Sequence, residues 1–357
     1  MRTATGPVAS PVGRPRWTPP FEFWPVWATY APLVPWILAL AMRHGWRAIG
    51  AANPGMPDGG LVGESKFEIL ASLPAEWTVP SVRIACGPLE TRSKAVAVFA
   101  QRPDVGFPVI MKPDVGQRGS GVRRVATQAD AANYLRAAEY PVVVQPWHPG
   151  PFEAGIFYWR HPDAARGQIF SITDKVFPVI AGDGVRTLEA LILSHPRFSR
   201  QAPVFLQRHA ASLNQVLPRG ERFALGSVGN HCQGTLFRSG AHLWTPELEA
   251  GIDDIARRVP GFCIGRFDVR YGDVARFKAG EDLAIIELNG VTAEPTDVYD
   301  PDRRIASAYR ALFEQWRLVF EIGAANRRRG AAGTSPARLA RLALGHFLDR
   351  RRFPGSS

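Results

Sequence analysis

A chain of 357 residues, 46% hydrophobic and 21% charged, is long enough to bury a sizeable core and too mixed in composition to be fibrous or wholly disordered. Its net charge of +11 invites a polyanion, yet much of the excess is terminal: Arg2, Arg14 and Arg16, then Arg327, Arg328, Arg329, Arg338, Arg341, Arg350, Arg351 and Arg352. With no DNA or RNA module in view, that distribution argues against a nucleic-acid partner, and Cys86, Cys232 and Cys263 are too scattered for a disulfide framework or a zinc site.

Residues 1–20 lack the order of a signal peptide and are expected to be a disordered basic tail on a cytoplasmic protein. Residues 21–60 read as an aromatic, proline-rich arm. No residue from 23 to 42 is charged, which just reaches the length of a membrane span, but Pro25, Pro32 and Pro35 interrupt it. Trp24, Trp27, Tyr30, Trp36 and Trp46 give it interfacial character, so the arm is expected either on a membrane surface or packed on the rest of the chain. Residues 53–66 read as a glycine-rich loop and 61–106 as a small α/β lead-in. Beyond Phe107, short apolar runs at 107–111, 142–145, 156–158, 169–172 and 176–180 alternate with turn residues, the pattern of strands. Helices are expected from the Thr127 cap to 139, from Thr245 and Pro246 onward with Leu248, Ile252, Ile255 and Val259 on one face, and over 302–320. A basic tail, 324–357, is expected to carry a short amphipathic helix with Leu339, Leu342 and Phe347.

Two segments carry chemistry. In FPVIMKPDVGQRGSGV, residues 107–122, a strand delivers Lys112 to a fixed point, and Gly116, Gly119, Ser120 and Gly121 follow in a loop whose bare backbone N–H groups can wrap phosphate oxygens; a plain hairpin would have the same pattern. In GRFDVRY, 265–271, and LAIIELNG, 283–290, the side chains of Asp268, Glu287 and Asn289 can share one sheet face. Three oxygen donors suit a hard Mg2+ ion, while a buried carboxylate paired with arginine is the commoner use of such a strand.

Lysine and glycine loop, then R-x-D and E-x-N some 150 residues later, resemble the ATP-grasp superfamily, carboxylate-amine ligase type, over about 94–323. Within it the chain resembles D-alanine:D-alanine ligase and the ATP-grasp domains of cyanophycin synthetase and bifunctional glutathione synthetase. The resemblance implies an α+β ATP-grasp fold, with two α+β subdomains clamping ATP over 107–323 behind a small N-terminal lead-in domain. It implies that Lys112 meets the α and β phosphates, that the 116–121 loop lids the nucleotide, and that Asp268, Glu287 and Asn289 hold two Mg2+ ions, for which Mn2+ can substitute. Arg266 takes the place of an arginine that steadies the tetrahedral intermediate. VVVQPWHPGPFEAGIFYWR, 142–160, resembles the linker that clamps adenine through Gln145, Pro146 and Trp147 and holds the ribose through Glu153. ITDKVFPVIAGDGVRTLEALI, 172–192, resembles a segment whose basic residue, here Lys175, faces the triphosphate or acyl phosphate.

GNHCQG, 229–234, falls where relatives keep a hydroxyl-rich substrate loop; Asn230, His231 and Gln233 stand there instead. His231 is either a loop hydrogen-bonder or the phosphoryl acceptor of an ATP-dependent phosphotransferase. Glu294, in a segment longer and more acidic than in relatives, either meets an amine or caps the next helix. The resemblance thus implies small-molecule carboxylate and amine substrates; the aromatic arm and the arginine tail add an anionic membrane surface as an expected partner, and the sequence leaves the oligomeric state open, a homodimer included. A membrane-associated nucleotide-binding protein without activity is a further alternative. The segment GESK, 63–66, matches nothing in those relatives and is expected to line the acceptor side.

Overall fold

In the computed structural model, residues 20–61, 63–116 and 119–349 are described; the expected tail at 1–19 and the arginines at 350–352 lie outside them. The arm folds as three helices, α1 (Val26–Tyr30), α2 (Leu33–His44) and α3 (Arg47–Ala51). There follow α4 (Lys66–Ala71), β1 (Val82–Ile84), α5 (Leu89–Ala100), β2 (Val109–Pro113), β3 (Arg123–Val125), α6 (Gln128–Ala137) and β4 (Val142–Pro146). Next come β5 (Phe152–Trp159), β6 (Gln168–Val176), β7 (Val179–Ala181), α7 (Leu188–Ser194), α8 (Ala202–Arg208), β8 (Arg222–Ala224) and β9 (Leu236–Ser239). The chain continues through α9 (Pro246–Arg258), β10 (Ile264–Tyr271), α10 (Val274–Lys278), β11 (Ala284–Asn289), α11 (Ile305–Arg328) and α12 (Pro336–Asp349).

The helix starts follow from side-chain caps. Ser65, Thr127, Thr187, Thr245 and Asp273 each accept a hydrogen bond from the backbone N–H three residues on, satisfying a donor the first turn leaves orphaned. The expected strand at 176–180 is two strands in different sheets, because Phe177 and Pro178 part β6 from β7.

The fold is α+β. A four-stranded sheet, in the order β1-β4-β2-β3, packs α5 and α6 against Val109, Met111, Val142 and Val144. A five-stranded sheet runs β11-β10-β5-β6-β9, all pairs antiparallel. One face of it buries Ala154, Ile156, Phe267, Val269, Tyr271 and Ile285 with the apolar side of α9. A two-stranded sheet, β7-β8, carries α7 and α8.

Two expected boundaries are crossed. β1, in the lead-in, pairs with β4, so the lead-in contributes a strand to the four-stranded sheet. The boundary at 323 falls inside α11, whose buried Asn326 donates to the carbonyls of Ala51 and Ala52 at 3.0 and 3.2 Å. The arm lies along this same helix: Leu40, Ala41, Ala48 and Ile49 share a core with Leu318, Val319, Phe320 and Ile322. Among the described residues no helix is long and apolar enough to cross a membrane.

Candidate functional site

Alternation along β10 and β11 builds the site. Phe267, Val269 and Tyr271 turn into the core, so Arg266, Asp268 and Arg270 turn to the opposite face. Asp268 stands directly across from Glu287, and Arg266 across from Asn289. On the other side of β10, Gly155 is opposite Asp268 and Glu153 opposite Arg270. The result is a polar sheet face lining a cavity of about 760 Å3, whose far wall is Ile110, Lys112 and Pro113 of β2.

The charges on this face interlock. Lys175 lies 2.8 Å from Glu153 and 3.1 Å from Asp268; Arg266 lies 2.9 Å from Asp268, and Arg270 2.8 Å from Glu153. The Arg270 guanidinium is also sandwiched between the rings of Trp147 and Phe177, at 4.9 and 4.6 Å. Lys66 reaches in from the start of α4 and ion-pairs Glu287 at 2.8 Å. Burial alone would raise the carboxylates, but Lys66 and Lys112 override it for Glu287, and Arg266 and Lys175 for Asp268, so both are held low. Lys175 stays charged because Asp268 and Glu153 outweigh its burial. Lys112, whose Nζ donates to the Ile286 carbonyl at 3.1 Å, is instead pushed down to about 8 by burial.

This donor set fits a hard divalent cation. Asp268 and Glu287 are ionised, adjacent and on one face with the Asn289 carboxamide, whose oxygen is a third hard donor. The cavity is also lined by Gly116, Gly119, Ser120, Gln145, Pro146, Trp147, Asn230, His231 and Glu294. Gly121 stands behind the loop, its carbonyl accepting from Tyr134 at 2.7 Å. Gln233 is buried as a strut, donating to the Gly119 carbonyl and accepting from Arg208.

Several residues occupy other surroundings than expected. Glu153, expected at a ribose, lines the cavity but is 3% exposed and held between Lys175 and Arg270, with Gly229 so close that a Cβ there would meet its Oε1 at 1.8 Å. Glu294 does not cap the next helix, which opens at Ile305; its carboxylate accepts from Tyr299 at 2.8 Å and from Tyr30. His231 pairs with Glu22 of the arm at 2.8 Å, and the same carboxylate takes Arg197 at 2.9 Å. Of GESK, Lys66 reaches the Glu287 side of the cavity, while Ser65 and the Phe67 N–H donate to Asp114 beside the glycine loop.

Sequence reasoning missed Arg270, Glu22, Arg197, Tyr30 and Tyr299. Arg270 was accessible, since it is two residues beyond Asp268 on the same strand. Glu22 was not: its partners lie 175 and 209 residues away.

No family model and no curated protein matches the chain. Among solved structures it is similar to a bifunctional glutathione synthetase from Pasteurella multocida, at 15% identity over 72% of this chain and 38% of that one, with a TM-score of 0.37. It is similar to a carboxyaminoimidazole ribonucleotide synthase from Aspergillus clavatus complexed with ATP, at 10% identity over 64% and 44% of the two chains, TM-score 0.37. It is similar also to VanG D-Ala:D-Ser ligase from Enterococcus faecalis, at 14% identity over 73% and 61%, TM-score 0.38. The chain thus spans less than two thirds of each of these proteins.

Proposed function

We propose that the chain is an ATP-dependent carboxylate-amine ligase working through an acyl phosphate. The observation that carries this reading is the meeting of Lys112, on one sheet, with Asp268, Glu287 and Asn289, on the other, across a single cavity floored by Arg266 and Lys175.

In the first half-reaction a substrate carboxylate oxygen attacks the γ phosphorus of ATP, the bond to the bridging oxygen breaks, and ADP leaves. Lys112 and Lys66, both beside Glu287 and lining the cavity, neutralise the anionic oxygens, and the glycine loop offers its N–H groups to them. Mg2+ held by Asp268, Glu287 and Asn289 supplies charge neutralisation of the phosphates when bound. In the second half-reaction an amine attacks the acyl carbon, phosphate departs and the nitrogen loses a proton. Arg266, fixed by Asp268 and by the Glu294 carbonyl at 3.1 Å, supports the oxyanion. The adenine lies against the backbone of 145–147. The substrates are small molecules, and the reaction runs in the cytoplasm, with the protein at the face of a membrane.

The phosphotransferase alternative needs a free His231 imidazole facing the nucleotide, and its Nε2 is already engaged by Glu22. The test is ADP and phosphate release from Mg-ATP across pooled carboxylates and amines, with product masses read in parallel and Glu287→Gln as control. Release that requires both an acid and an amine and disappears in the variant supports the ligase. Release with an alcohol or no acceptor acid, giving a phosphorylated product, would replace it with a phosphotransferase.

A further inference from the structure

The arm has two faces, and the ligase chemistry uses only one. Leu33, Leu40 and Ala41 turn inward to α11, while Glu22, Phe23 and Tyr30 line the cavity. The outer face of α1 and α2 is apolar and open: Trp27 is 75% exposed, Val34 49%, Leu38 45% and Met42 82%. Spaced four residues apart, Val34, Leu38 and Met42 form one helical stripe, and the exposed residues between them are Pro35 and Ala39. A contiguous apolar surface of this kind is unusual on a protein that meets only water.

Charge identifies what covers it. From 23 to 57 there is no Asp or Glu, whereas Arg43 and Arg47 are exposed where the stripe ends. Arg327 stands beside them, its Nη1 3.2 Å from where a Cβ on Gly45 would sit, and Arg328 is exposed next to it. Tryptophans mark both ends, Trp27 on α1 and Trp46, 40% exposed, before α3. Apolar stripe, tryptophan flanks and a rim of arginine without acid match a bilayer surface bearing anionic headgroups. A second copy of the chain would bring the same arginines against each other.

We infer that the outer face of α1 and α2 docks on an anionic lipid bilayer, with Trp27, Val34, Leu38 and Met42 in the acyl boundary and Arg43, Arg47 and Arg327 at the headgroups. Val26 belongs both to this face and to the cavity wall, so docking brings the arm-side mouth of the cavity to the lipid. On the ligase reading, on which this last step rests, the substrate entering past α1 is an amphiphile drawn from the bilayer.

The test is sedimentation of the full chain with vesicles of phosphatidylcholine alone and of equal parts phosphatidylcholine and phosphatidylglycerol. Point substitutions are used because deleting the arm would uncover α11. The chain is expected to bind the anionic vesicles, with binding weakened by added salt. Val34→Glu, Leu38→Glu and Met42→Glu together should cost roughly tenfold or more in vesicle binding, and Arg43→Glu with Arg47→Glu should abolish the preference for phosphatidylglycerol. Mg-ATP affinity, measured by calorimetry, should be unchanged in both, confirming an intact fold. Absence of binding to anionic vesicles, or binding indifferent to the substitutions, overturns the proposal. So does a dimer in light scattering that the triple substitution dissociates. Vesicle binding without any acid- and amine-dependent ADP release would leave the docking intact and sink the ligase reading instead.

Discussion

At one end of the cavity Arg266, Asp268, Glu287 and Asn289 come from two paired strands only 24 residues apart from first to last, 266 to 289 counted inclusively. At the other end Glu22, Tyr30, His231 and Tyr299 come from an arm, a loop and a short turn spread over most of the chain. Strand pairing fixes the first set to the sheet, so its geometry is made by the core beneath it. The second set is held by its own ion pairs and ring contacts, Phe23 against His231 at 5.5 Å and Phe21 against Tyr299 at 5.8 Å. A rigid end suits the step common to every turnover, phosphoryl transfer, and an assembled end suits whatever distinguishes the substrate.

Four substitutions bear on that contrast, from the largest effect down. Asp268→Asn should cut Mg-ATP-dependent ADP release on the order of a thousandfold in steady-state assays, because a carboxylate that would hold the divalent cation is lost and Arg266 and Lys175 lose the anion that orients them. Lys175→Met leaves Glu153 and Asp268 buried with one cation fewer, and urea unfolding should report a loss of about 3–5 kcal/mol. A loss below about 1 kcal/mol would mean that the rigid end is not held by its charges.

Glu64, in the segment that joins α4 to the arm, tests the join between the ends. Burial, with Asp58 adding to it, pushes its carboxyl up to about 7. Between the ordinary glutamate range and pH 7 the folded protein keeps a proton that the unfolded chain gives up, so stability falls as pH rises through that window and stays lower above it. Glu64→Gln should flatten the pH profile and raise stability at pH 8 by about 2–3 kcal/mol, read from unfolding midpoints at pH 5 and pH 8. At the assembled end, Glu22→Gln should cost about 1–2 kcal/mol and speed proteolysis within the arm, since His231 and Arg197 lose a shared anion.

The rigid end was legible in the sequence because its signal is local. GRFDVRY alternates core and site residues with period two, and the threonine caps at 127, 187 and 245 announce their helices. The arm misled for a physical reason: prolines read as interruptions begin helices here, with Pro25 and Pro32 at the caps of α1 and α2 and Pro35 in the first turn of α2, where no N–H is required. The end of α11 was hidden too. Arg327 and Arg328 look like a tail, yet they close a helix whose dipole favours cations at its C-terminus, and Asn326 just before them is buried under α3. No local pattern could have paired Glu22 with Arg197.

The seat of the arm on α11 also sets a timetable for synthesis. Trp36 donates to the carbonyl of Phe313, a contact 277 residues apart in the chain. At roughly 5–20 residues per second the arm leaves the ribosome on the order of tens of seconds before its partner helix exists. For that interval Leu33, Leu40 and Ala41 are as uncovered as Trp27 and Met42, and a nascent chain with both faces of α2 bare is one that a holdase chaperone, or a nearby bilayer, would take up before the fold can close over it.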